Sequence, residues 1–156
     1  MKRLIAVFVL AVLMLGCLCS CNLINNSVAE EGDVTIVIEN SDGSYDVYDL
    51  VLESVENKGE GVKGIIEHLN KGDDKLYVEM VNGTYGAYIS AIGNIKEDAA
   101  SGSYVMLYTS IASDSYEGAP TVDYDGTTLY QSGVGISSMN VESGTVVLFR
   151  LETYSY

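Results

Sequence analysis

The chain has 156 residues and a formal net charge of −14, with 47% hydrophobic residues, twelve Tyr, two Phe and no Trp. Its length fits one domain that buries its own core without metals or disulfides. Its acidity excludes phosphate backbones and anionic headgroups as partners, because both would be repelled, so no nucleic acid is expected.

Lys2 and Arg3 precede an apolar run, residues 4–15, that is too short to span a bilayer comfortably as a helix and has the pattern of an export signal. Residues 14–21 follow as Met-Leu-Gly-Cys-Leu-Cys-Ser-Cys, which resembles the lipobox of bacterial lipoproteins, where a small residue precedes a Cys that becomes lipidated. Cys17, after Gly16, fits that pattern; Cys21, after Ser20, is the alternative. All three Cys lie in residues 17–21, so the remainder holds neither a disulfide framework nor a zinc site. Two acyl chains, at about 0.8 kcal/mol per buried CH₂, anchor a protein stably where one is marginal. The expected location is therefore the extracytoplasmic face of a bacterial membrane, the rival being a secreted protein with incidental cysteines. Residues 1–21 form the signal segment, residues 22–32 a polar tether, and residues 33–156 the folded domain.

Within the domain, Val34, Ile36 and Ile38 mark a largely buried strand over residues 33–39, residues 40–43 turn the chain, and residues 45–55 return as a hairpin. Val62, Ile65, Ile66 and Leu69 fall at i, i+3, i+4 and i+7, which predicts a helix over residues 61–70. The helix is short and Gly64 weakens it, so packing must stabilise it. His68, the only His, sits in its last turn and reads as structural or solvated. Residues 76–81 alternate as a strand and meet the Asn82-Gly83 turn, and residues 85–93 read as the central strand of the domain. A loop over 94–103, a strand over 104–110 and an acidic loop over 111–120 come next. Strands 121–124 and 127–131 flank Asp125-Gly126, a type I′ hairpin signal. Asp123 and Asp125 lack the further ligands of an EF-hand, so they read as a turn and no metal site is expected. A glycine-punctuated loop, 132–140, leads to a last strand, 145–153. The expected class is α+β: a mixed, mainly antiparallel β-sheet with one short helix packed on it, β-grasp-like.

Over residues 59–151 the order of signals resembles the transcobalamin C-terminal-like family, often a domain of unknown function in bacteria. Four features carry it: the helix after a Gly; residues 85–92, Tyr-Gly-Ala-Tyr-Ile-Ser-Ala-Ile; a strand opening at Tyr104; and residues 129–135, Leu-Tyr-Gln-Ser-Gly-Val-Gly, followed by residues 141–147, Val-Glu-Ser-Gly-Thr-Val-Val. The resemblance implies a domain whose loops and strand ends close over one face of cobalamin while a larger helical domain holds the other. Carried onto this chain, the contact set is Tyr88, Tyr104, Met106, Tyr108, Leu129, Gly133, Val134 and Gly135. The chain departs from the family at Val105-Met106, where a Trp-Gln pair is usual, and the connection 110–128 is longer. The 156 residues carry no helical partner domain, so the resemblance implies a half-site, weak unless another chain completes it.

No Gly-x-Ser-x-Gly elbow, HExxH or phosphate-binding Gly-rich motif occurs, and no Cys remains in the folded region for nucleophilic work. Asp114 and Glu117 are the nearest candidates for paired carboxylates, and a solvated loop is the simpler reading. The chain is not expected to be an enzyme or to need a cofactor. The expected function is that of a surface-anchored lipoprotein with a non-catalytic small-molecule-binding module, with cobalamin or another corrinoid as the named ligand. The alternative is a structural or adhesive surface domain binding protein or glycan through its Tyr-rich face. Tyr88, Tyr104, Tyr108 and Tyr130 separate the two: one shared concavity favours a small ligand, a flat exposed patch a macromolecule.

Overall fold

The computed structural model describes residues 33–72, 75–84 and 86–154. The signal segment, the tether and the lipidation candidates Cys17 and Cys21 lie outside the described residues, as does Tyr85.

In chain order the strands are β1 (Val34–Glu39), β2 (Tyr45–Leu50), β3 (Val78–Gly83), β4 (Gly86–Ile92), β5 (Ile95–Lys96), β6 (Ser103–Thr109), β7 (Thr121–Tyr124), β8 (Thr127–Gln131) and β9 (Thr145–Thr153), with helix α1 (Val62–Leu69) between β2 and β3. Six of them form a sheet in the order β2-β1-β9-β6-β8-β7. β1 and β2 make the expected hairpin, and β9 returns between β1 and β6, parallel to the first and antiparallel to the second. A hairpin, a helix, and first and last strands side by side and parallel give the β-grasp-like arrangement expected.

Three readings need correction. β4 is not the centre of the main sheet: it is the middle strand of a separate three-stranded sheet, β3-β4-β5. β5 itself falls in residues read as a loop, since two residues are too few to show a period. The second strand is also shorter than residues 45–55, giving way to a 3₁₀ turn at Leu52–Ser54.

Alternation explains how the layers pack. Val34, Ile36 and Ile38 of β1, with Val147 and Phe149 of β9, face a core completed by Ile65 and Ile66 of α1 and by Ile89 and Ile92 of β4. Val37 and Leu148 point the other way, into a smaller core with Tyr108 and Leu129. Both faces of β1 and β9 are thus covered, so each reads as a nearly continuous apolar run. The smaller core exists because the sheet curls. Tyr45 and Tyr124, from its two edge strands β2 and β7, meet edge-to-face with ring centroids 5.3 Å apart.

Tyr108 in that core is 1% exposed, and its hydroxyl donates to Glu152 Oε1 at 2.6 Å. Burial first, and the Glu152 carboxylate second, raise its ionisation well above the ordinary range. An unfolded Tyr ionises near pH ~10. The folded chain holds this proton more tightly, so the contribution is fully present below that pH and is lost as pH rises above it. Titration by phenolate absorbance should show one Tyr that ionises only as the protein unfolds, and Tyr108→Phe should remove that component. Tyr108 titrating together with the exposed tyrosines would contradict the assignment.

Candidate functional site: a cleft where the two sheets meet

β8 stays on β6 only briefly, with Thr109 opposite Tyr130 and Tyr108 opposite Gln131. One further bond follows, from Ser132 N–H to Leu107 O at 2.8 Å, and then the chain leaves as a loop over residues 132–140. Toward Ser103, the side of β6 away from β9 is therefore free of β8, with β4 of the small sheet across from it. The space between is a cleft of about 140 Å³, walled by Tyr88 and Ile89 of β4, Val105 and Met106 of β6, and Val134 and Gly135 of the loop. Buried Ile136 and Phe149 also line it, and none of its lining residues is charged. Tyr88 and Val134 on its rim are 45% and 40% exposed.

The loop wall is held from three directions. Ile136 N–H donates to Ala87 O of β4 at 3.1 Å, and Ile136 O accepts from Lys63 N–H at 3.0 Å. The second bond satisfies a first-turn amide of α1, whose N-cap makes no side-chain hydrogen bond. Third, Asp114 is 3% exposed and grips both ends of the loop. Its backbone O accepts from Gly133 N–H at 2.8 Å, and its carboxylate accepts from Asn140 N–H at 2.7 Å and from Asn140 Nδ2.

The sequence-predicted residues divide accordingly. Tyr88, Met106, Val134 and Gly135 come together on the cleft, and Gly133 stands exposed at the start of its loop wall. Tyr104 does not line it and instead packs beside Tyr154, centroids 6.4 Å apart. Tyr108 and Leu129 are buried in the smaller core, where they pack rather than face a ligand. Strand parity is the reason: Tyr104, Met106 and Tyr108 share one face of β6, whereas Val105 and Leu107 belong to the other, and Met106 reaches the cleft at the strand's edge. Sequence reasoning missed Val105, Leu107 and Ile89, which the same parity could have found. Tyr130 lines a different, broad depression of about 380 Å³ with Tyr116 and Glu117. That depression is larger but more open, mixed in polarity and walled mostly by the loop before β7, so the cleft is the better-built site. The four tyrosines do not share one concavity. Asp114 and Glu117 do not converge either, since Glu117 is exposed while Asp114 is buried on Asn140.

Asp125 and Gly126 both have positive φ, 47° and 77°, as the type I′ turn requires. Among the described residues no three His, Cys, Asp or Glu side chains converge on a metal site, and no helix is long and apolar enough to cross a membrane.

A curled mixed sheet, a smaller sheet, one short helix and an uncharged cleft at their junction define the class of this domain. Several solved structures share the fold, two of them as follows. A protein from Ruminococcus gnavus ATCC 29149, provisionally described as metal binding, superposes with a TM-score of 0.55 at 14% identity over 80% of this chain and all of its own. Haptocorrin in complex with Cbi superposes with a TM-score of 0.53 at 15% identity, over 84% of this chain but only 27% of haptocorrin. At these identities the likeness is one of fold, and it agrees at that level with the transcobalamin-type resemblance read from the sequence. No family model matches the chain, and no curated protein matches it.

Proposed function

We propose that the domain is a non-catalytic module binding a small ring-bearing molecule at the cleft, with a corrinoid as the named ligand. In this reading the protein is held at the outer face of a bacterial membrane by lipid on Cys17 or Cys21. The observation that carries the binding reading is the cleft: a concave, uncharged, apolar surface with an exposed ring and an exposed aliphatic side chain on its rim, walled by a hydrogen-bonded loop. The shared fold of haptocorrin, solved with Cbi, supports the choice of ligand. Size sets the mode of binding. The cleft holds about 140 Å³, and sites that enclose a drug-sized ligand hold roughly 300–1,000 Å³. A corrinoid would therefore lie across the rim with one projection inside, and a second protein surface would have to cover its other face for tight binding.

Calorimetric titration of residues 33–156 with cobinamide and cobalamin, up to about 1 mM, the weak-binding range, tests this. Saturable heat is expected, weakened roughly tenfold or more by Val134→Asp, which places a charge against the apolar rim without disturbing a buried contact. Absence of heat with both ligands would retire the corrinoid and bring forward the adhesive alternative. The anchor is tested separately by metabolic labelling with an alkynyl fatty acid. Label retained in a Cys17→Ala, Cys21→Ala double variant would overturn it.

A further inference from the structure

Among the described residues, backbone hydrogen bonding along the side of β6 away from β9 breaks off after Leu107 O, leaving Leu107 N–H and both groups of Val105 without a partner, and the break lies in the wall of the cleft. In an antiparallel pair, successive residues turn their N–H and C=O groups alternately toward and away from the partner strand. Ser110 N–H donates to Val146 O at 2.9 Å, which sets the parity: Ser110, Tyr108, Met106 and Tyr104 face β9, and Thr109, Leu107, Val105 and Ser103 face the other way. On that other side Thr109 pairs with Tyr130, and Leu107 O accepts from Ser132 N–H. Ser103 exchanges two bonds with Asp98, at 2.9 and 3.0 Å. Val105, between them, has no backbone partner on that side among the described residues, because the loop departs at Gly133 instead of continuing the ladder. Half-buried Val105 lines the cleft, so one donor and one acceptor, side by side, open into an otherwise apolar space.

Such a pair has a specific complement. A primary carboxamide carries its C=O and one N–H on the same side, so it can accept from Val105 N–H and donate to Val105 C=O at once. A trans secondary amide points the two groups apart, and an ester or carboxylate offers acceptors only. We propose that Val105 is the polar recognition point of the cleft and reads a primary carboxamide on a ring-bearing ligand, the ring packing on Tyr88, Met106 and Val134. The inference rests on the cleft being the ligand site. It explains how an uncharged apolar cleft orients what it binds, since an unmet strand edge in a dry wall favours a ligand that completes it.

The test uses ¹⁵N-labelled protein with 2-phenylacetamide and, in parallel, methyl phenylacetate, which keeps the ring and lacks the N–H. The amide is expected to shift the Val105 N–H resonance saturably and to bind about tenfold more tightly than the ester, the effect of a hydrogen bond gained. Val105→Pro removes the free N–H without removing a ladder bond, and is expected to abolish that preference while the spectrum stays folded. Should the proline variant unfold, the amide-to-ester ratio on the wild-type protein still decides. Equal binding of amide and ester, or no Val105 shift with either, overturns the proposal. Amide binding with no response to cobinamide would uphold it while retiring the corrinoid.

Discussion

Gly64→Ala is expected to destabilise the domain by about 3 kcal/mol or more, the scale of overpacking against atoms that cannot yield. Helix propensity alone gives the opposite sign, because Ala is favoured over Gly by about 1 kcal/mol in an exposed helix interior. The structure decides between the two. A Cβ at Gly64 would stand 2.0 Å from Asn57 O and 2.7 Å from its carbonyl carbon. Those are backbone atoms, and Asn57 O is itself engaged by Glu60 N–H at 2.9 Å in the turn that leads into α1. The helix cannot move away without separating Ile65 and Ile66 from the core, and the turn is tethered through Val55, buried in the same core. Urea unfolding measures the change, and a stabilised variant would contradict the close approach. The residue that weakens α1 in isolation is thus the one that lets it dock.

Asp114→Ala is expected to cost about 2 kcal/mol, since hydrogen bonds to a charged group contribute roughly 1.5–3 kcal/mol while exposed Asn140 can turn its donors to water. Asn140 N–H and Nδ2 lose their acceptor, and the carboxylate end of the grip on residues 132–140 is released. Hydrogen exchange should therefore quicken at Val134 and Gly135 before the β1–β9 pair is affected, and ligand binding at the cleft should weaken with it. Asp114→Asn should fall between the two, because an amide oxygen can meet one of the donors but its NH₂ opposes the other. Unchanged exchange in the loop would remove Asp114 from any part in shaping the cleft.

The elements legible in the sequence were those whose local pattern was strong. β7, β8 and β9 lie on the predicted residues, and α1 lies within the predicted 61–70. The type I′ turn and the spacing of Val62, Ile65, Ile66 and Leu69 depend on neighbours only. Division into two sheets was not legible, since alternation says which face a side chain takes and not which strand lies alongside. β4 shows this: its apolar run is real, but its partners are β3 and β5. Part of the cleft lining came through the family resemblance, as Tyr88, Met106, Val134 and Gly135. Tyr108 and Leu129 were misplaced because conspicuous residues were weighed above strand parity. Asp114 had no local signal at all, its partner Asn140 being 26 positions away. The gap at Val105 is likewise invisible in sequence, because it arises where one strand stops following another.

The most direct test of the cleft as the ligand site is a methyl-labelled NMR titration of the domain with cobinamide. The predicted result is a set of saturable shifts confined to Ile89, Val105, Met106, Leu107, Val134 and Ile136, with Val47 and Val122 on the curled side of the sheet unmoved. Shifts centred on Val122 and Leu129, or a spectrum unchanged at a millimolar excess, would contradict it.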